Sequence, residues 1–289
     1  MTRNNLFEST FSTKLNKFEF ILPILFTIII SSILSYFVFF LEFEENNSSS
    51  LLYGFEDFFA VLNIVIIILV SITSLFIFFR LFRKKQKLAI KILVATFILS
   101  GILSTLLFVK LMFNSIFMES PVILIIAAFV TYIGAYFAYL VLVEALSERM
   151  KNLLFVICSG ALGSFVGILV PSIPIIILSL FLATVDLILI KRKSVEKIFG
   201  ESEYEKLIVA IAFSNNQWGV GIGDLTCYSM VVSNTFANFG VIGGVVSLFM
   251  ILFGSYLSLL ITLRRVRFPG LPITLVLGLI PLITMSLLS

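Results

Sequence analysis

Two carboxylates stand where a membrane chain has reason to carry none. Asp186, in LATVDLILIKRK, and Asp224, in GVGIGDLTCYSMVVSN, each fall inside an apolar run long enough to cross a bilayer. An ionised carboxylate at membrane depth costs upward of about 2.5 kcal/mol, so such a residue marks a function by default. The third aspartate, Asp57, lies in an acidic connecting stretch, and the glutamates are confined to loops and run ends. Two carboxylates held close together do not both ionise easily. One keeps a proton, and the two titrate as a coupled pair. The ionised member can then take a proton from water while the protonated member polarises a carbonyl, the division of labour of an aspartic protease. A pair of this kind also suits an ion or proton path, and residue types alone leave catalysis and transport both open.

The neighbours of Asp224 fit a worked site. Gly219, Gly221 and Gly223 alternate, leaving room for a substrate backbone and weakening any helix they belong to. Thr226, Tyr228, Ser229, Ser233 and Asn234 follow, so this segment faces protein or water rather than lipid. Other chemistries are excluded. The chain has no histidine, which removes histidine-based triads and histidine-ligated metals. Its two cysteines, Cys158 and Cys227, lie far apart in apolar runs and suggest neither a thiol pair nor a zinc motif. No cofactor and no metal is implied.

The elements that must position these residues are membrane helices. Of 289 residues, 60% are hydrophobic and 12% charged, with a mean hydropathy of +1.16. A soluble core cannot use so much apolar surface, so the class is an all-α polytopic membrane protein. Continuous apolar runs such as IVIIILVSITSLFIFF (64–79) differ from the alternating segments of a barrel. A span takes about 20 apolar residues. That yardstick predicts nine, at about 20–41, 58–79, 89–112, 121–143, 153–170, 173–190, 217–234, 239–262 and 270–288, in one membrane-embedded domain over 1–289. The first span has no small-residue cleavage site after it and is expected to serve as an uncleaved targeting signal. PSIP (171–174) makes a tight turn between the fifth and sixth spans. Ser159, Gly163 and Gly167 form a small-residue face for close helix packing, and Gly240 and Gly244 suggest the same on the eighth span.

Orientation follows from lysine and arginine. Nineteen of the twenty basic residues fall on one side of a nine-span layout, the exception being Lys110. The opposite connections, LEFEENNSSS with YGFED, then PSIP, then SNTFAN, are acidic or bare. The N-terminus is therefore expected in the cytoplasm and the C-terminus outside, in a multi-pass cell-membrane protein. The net charge of +4 reflects this topology and not nucleic-acid binding. Asp186 precedes Lys191 by five residues, about 7–8 Å of helix, and Asp224 follows Gln217 by seven, about 10 Å. Both carboxylates are thus expected in the inner third of the membrane, on antiparallel helices. The longest cytoplasmic loop, 191–216, ends in KLIVAIAF (206–213), which is too short to span and is expected to be a strand or extended segment at the membrane surface.

The motifs become specific when taken together. GIGDLTCYS (221–229) resembles the presenilin GxGD motif, with Tyr228 and Ser229 at its Tyr-Ser positions. RVRFPGLP (265–272) is similar to the family's PAL motif, here Pro269, Gly270 and Leu271, with Pro272 following. Asp186 matches the first catalytic aspartate of the family on span six, although Val185 precedes it where the family has tyrosine. Nine spans with the N-terminus inside also agree. The chain resembles an archaeal presenilin homologue of the presenilin and signal peptide peptidase family. That resemblance implies an intramembrane aspartyl protease with Asp186 and Asp224 as the catalytic dyad. It implies that Gly221, Gly223, Pro269, Gly270 and Leu271 shape the site and bind substrate. Substrates would be transmembrane helical proteins or peptides, met in the lipid bilayer. The 191–216 loop is short beside the self-cleaved loop of animal presenilins, so no activating cut is expected. A signal-peptide-peptidase-like enzyme would have the inverse topology, against the basic loops. Prepilin peptidases share GxGD with fewer spans. An ion channel or transporter using the paired aspartates is the alternative from another class. Oligomeric state is left open.

Overall fold

The computed structural model describes residues 17–45, 80–81, 85–117, 121–192, 212–215, 218–264 and 270–288. The second predicted span, 58–79, lies outside the described residues. Seven helices and one small hairpin are described. They are α1 (Lys17–Glu45), α2 (Gln86–Phe117), α3 (Pro121–Leu142), α4 (Glu148–Leu169), α5 (Ser172–Arg192), β1 (Ala212–Asn215), β2 (Trp218–Gly221), α6 (Ile222–Arg264) and α7 (Leu271–Leu288). Five helices are long and apolar enough to cross a membrane; α5 and α7 contribute shorter apolar stretches, Ser172–Ile188 and Leu271–Leu287. The chain is a multi-pass membrane protein.

The bundle is built around α6, which packs on α7, α4 and α1. In lipid, no hydrophobic drive distinguishes one helix from the next, so close backbone approach and interhelical hydrogen bonds hold the bundle. The small-residue face of α4 does this as expected. A Cβ added to Gly163 would come within 2.5 Å of both Ser229 Cβ and the Thr226 carbonyl oxygen, and one on Gly167 would meet the Met230 carbonyl. Ser159 donates to the Ile222 carbonyl at 3.4 Å. On the other flank of α6, Ser31 of α1 donates to the Ser229 carbonyl at 2.9 Å and shares a hydrogen bond with the Ser233 hydroxyl. The N-terminal half of α6 is thereby held on both sides.

Two expectations about α6 need correction. SNTFAN (233–238), expected as an outer loop, is helical. Its polar side chains are buried contacts: Asn234 Nδ2 donates to the Gly167 and Val170 carbonyls at 2.8 Å each, capping the end of α4. Thr235 bonds back to Val231 at 2.7 Å. Polar composition suggested a loop, but the Asn234 amide and the Thr235 hydroxyl donate to carbonyls within the protein. The break instead falls at Gly240, with φ 70° and ψ −166°, a conformation that only glycine adopts freely. Gly240 therefore marks the kink between two helical halves. Gly244 does sit in tight packing, against the Phe236 ring across that break.

The PSIP turn forms as expected, with Val170 extended at the end of α4 and α5 starting at Ser172. At the opposite end of α4, the chain leaves α3 through Glu144 at φ 61°. Glu144 is held there by Lys91 of α2, whose Nζ lies 3.1 Å from its Oε1 and donates to the Leu142 carbonyl at 3.0 Å. This clamp joins α2 to the α3–α4 turn.

The described end of the expected extended segment, 212–213, is extended. β1 covers 212–215, while 206–211 lie outside the described residues. It pairs antiparallel with β2, Ala212 opposite Gly221 and Asn215 opposite Trp218. The predicted seventh span therefore does not begin as helix near 217. Gly219 and Gly221 flank the β-branched Val220 in an alternating pattern. Each glycine would cost a helix about 1 kcal/mol relative to alanine. Residues 218–221 take the extended form, and the helix starts at Ile222.

Candidate active site

Asp224 is the third residue of α6, immediately beyond β2. This changes its setting from that expected of a mid-helix residue. The first four N–H groups of a helix have no intrahelical partner, and their aligned dipoles favour negative charge. A carboxylate in this turn is better supported than one placed deeper. Asp224 is half-buried. Its Oδ2 lies 3.4 Å from where a Cβ on Gly221 would be, an ordinary contact distance, so that position lies against the carboxylate. Nothing lies within 4 Å of a Cβ built on Gly223, and that residue is exposed. Open space thus begins one residue before the carboxylate, as the glycine pattern led us to expect.

Asp186, also half-buried, comes from the second half of α5, a helix that packs on α7 and α6. Its charge acts on Asp224, on Cys227 and on Tyr228. The two carboxylates singled out in the sequence are therefore brought within electrostatic reach by different helices. Val185 beside Asp186 is half-buried and supplies no polar group.

The PGL segment lies partly in view. Pro269 lies outside the described residues. Gly270 immediately precedes α7, and a Cβ there would be 3.2 Å from Ser258 Oγ on the second half of α6. Leu271 opens α7 and is buried in the same apolar cluster as Ala183, Val220, Leu225 and Tyr228. That cluster gathers the turn before Asp186, the strand before Asp224, the start of α6 and the start of α7. Gly221 and Gly223 flank Ile222, two residues before Asp224, and Leu271 shares an apolar cluster with Leu225 and Tyr228.

The sequence assigns no role to Cys227 or Thr274, and marks Tyr228 only as a motif residue. Cys227 and Tyr228 follow Asp224 by three and four residues, the spacing that puts side chains on one helix face. Thr274 is fully buried and donates its hydroxyl to the Gly270 carbonyl at 3.1 Å. No group of three or more histidine, cysteine, aspartate or glutamate side chains suited to a metal occurs among the described residues.

No family model matches the chain. No curated protein matches it either. Solved structures do. One is described as a presenilin family intramembrane aspartate protease in a C222 crystal form. It superposes with a TM-score of 0.62 at 16% identity, over 95% of this chain and 100% of that one. A second, of a presenilin family intramembrane aspartate protease in a P2 form, gives 0.59 at 16% identity, over 94% and 97%. At that identity the likeness is one of fold, and the fold of this chain is presenilin-like over nearly its whole length.

Proposed function

We propose that this protein is an intramembrane aspartyl protease of the GxGD type, cutting peptide bonds within transmembrane segments by way of Asp186 and Asp224. What supports the proposal is that the two aspartates lie on separate helices, within electrostatic reach of each other, in a presenilin-like fold. One carboxylate, ionised, takes a proton from a water as that water attacks the scissile carbonyl. The other, protonated, donates a hydrogen bond to the carbonyl oxygen as negative charge develops on it. Their mutual repulsion keeps one proton on the pair, which supplies both roles at once.

The peptide bond of a helical substrate is shielded, so the substrate segment must unwind. An unwound segment can add to a strand edge, and the β1–β2 hairpin, which runs directly into the turn of Asp224, offers one. Pro269, Gly270 and Leu271 close the other side of the cleft. In this account the chain makes nine spans with the N-terminus in the cytoplasm and the C-terminus outside, and water reaches the pair from the cytoplasmic side.

Purified protein incubated with a labelled transmembrane peptide tests the proposal. Wild type cleaves, and Asp186→Ala and Asp224→Ala do not. Cleavage surviving both substitutions, or ion flux lost on both with no proteolysis at all, sinks it.

A further inference from the structure

Three helices away from the aspartates meet without closing on one another. α2 packs on both α3 and α4, whereas α3 and α4 scarcely touch. Small residues bring the touching pairs close: Gly101 of α2 stands against Cys158 of α4, and Gly134 of α3 against Ile102 of α2. Between α3 and α4 this leaves an apolar cleft of about 190 Å³. Gly101 and Cys158 close its floor, Ile133 and Phe137 line it from α3, and Leu154 and Ile157 line it from α4. Ile157 is exposed. Atoms that face an unfilled cleft lose dispersion contacts, which a hydrocarbon chain restores.

One end of the cleft is basic. Lys91 of α2 holds Glu144 and the Leu142 carbonyl, so the start of α2, the end of α3 and the start of α4 come together there. Lys151 stands one turn before Leu154 on α4, with its Nζ 5.6 Å from the centre of the Phe155 ring. Arg149 beside it is exposed. Over residues 80–91 and 144–151 the chain carries eight lysines and arginines against two glutamates, Glu144 and Glu148. A basic end on a cleft between membrane helices suits an acidic lipid headgroup.

We propose that this cleft binds an anionic phospholipid, one acyl chain lying between α3 and α4 and the phosphate at Lys151 and Arg149, and that its occupancy sets the turn bearing Asp224. The binding stands by itself; the effect on rate rests on the protease assignment. Leu154 and Cys158 share an apolar cluster with Ile222, the first residue of α6. Ser159, next to Cys158, donates to the Ile222 carbonyl at 3.4 Å. Asp224 follows two residues on. A chain in the cleft packs against the same Leu154 and Cys158 that back Ile222, and a shift of about 1 Å at a reacting centre costs rate steeply.

The test uses phosphatidylglycerol with a photoreactive group midway along one acyl chain, in phosphatidylcholine bilayers holding the full chain. Thermal unfolding is followed for each variant. Light attaches the label to residues lining the cleft. Unlabelled phosphatidylglycerol competes about thirtyfold better than phosphatidylcholine of the same chains, about fivefold for each of two cations at the headgroup. The Arg149→Gln/Lys151→Gln variant loses that preference. Ile133→Trp fills the cleft and loses the label with its charges intact; if it unfolds, the charge variant decides. Equal competition by the two lipids, or label spread evenly over the lipid-facing surface, overturns the site. A cleft that takes no label is covered by another helix or a second copy, which overturns it as well. Cleavage of a transmembrane peptide is then titrated with phosphatidylglycerol. The rate rises with the half-saturating lipid fraction seen in labelling, and the rise is lost in Ile133→Trp. A rate blind to the lipid, or a rise that survives Ile133→Trp, overturns the control of Asp224. A wild type that cuts nothing in any bilayer overturns the protease assignment instead, and labelling then decides the lipid site by itself.

Discussion

Gly221 and Gly223 flank the same residue but do different things for Asp224. At Gly221 a Cβ would stand in ordinary contact with the carboxylate, 3.4 Å from Oδ2, so only a side chain that branches beyond Cβ presses on it. Gly223 opens onto empty space. Gly221→Val therefore crowds Asp224, and we predict that it lowers kcat by at least about tenfold, on the scale of small displacements at a reacting centre. Gly223→Ala fits without contact and is predicted to leave kcat unchanged while raising KM, if substrate uses that space. Steady-state kinetics on a transmembrane peptide separates the two effects. Both aspartates were legible in the sequence, because charge inside an apolar run is conspicuous and costly. Thr274 was not. Hydroxyls on membrane helices routinely bond back to the preceding turn, as Thr27 does to Pro23, Thr184 to Leu180 and Thr235 to Val231. Thr274 makes the same local bond to Gly270, and nothing in its own sequence neighbourhood sets it apart.

At the scale of elements, the hairpin and the break at Gly240 were the least legible features, and both turn on glycine. Helical hydropathy over 217–234 outweighed the alternating glycines, yet the backbone cost at Gly219 and Gly221 decides for β2. The polar residues of 233–238 suggested a loop because satisfied and solvated polar groups look alike in a sequence; only the carbonyls of α4 distinguish them. The small-residue face of α4 was legible, since close approach demands small residues at helical spacing. Gly163→Leu puts a bulky side chain where Ser229 and Thr226 already stand. We predict a loss of the folded state, by at least about 1–3 kcal/mol, seen as a lowered unfolding temperature in detergent. Phe213→Pro, in β1 opposite Val220, tests the hairpin as a substrate edge. It is predicted to abolish cleavage, and because Phe213 also packs against the bundle core, thermal unfolding is measured alongside to confirm that the variant stays folded. Unaltered turnover counts against strand addition.

For the molecule as a whole, the presenilin-like likeness covers both chains almost completely, although identity is only 16%. Fold persists at that distance because the bundle needs only apolar length, small contact residues and a few buried hydroxyls. The site needs named residues, which is why its motifs were readable in sequence where a general match was absent. The proposed orientation rests on the basic loops, and labelling tests it cleanly, since both native cysteines, Cys158 and Cys227, are buried. A cysteine at Ser172, in the α4–α5 turn, is predicted to react with an impermeant reagent from outside in sealed cells. One at Ser194 reacts only after the membrane is opened. The reverse pattern would put the cleft on the wrong face for cytoplasmic water.

The central claim is that Asp186 and Asp224 act as one unit on a transmembrane peptide bond. The most direct measurement is the hydrolysis rate of a transmembrane peptide in reconstituted bilayers by wild type, Asp186→Asn, Asp224→Asn and the double variant. Groups that act as a unit are grossly non-additive. We predict that each single variant falls to the same residual rate as the double, with folded protein retained in all. A single variant that keeps a rate near wild type would contradict the account.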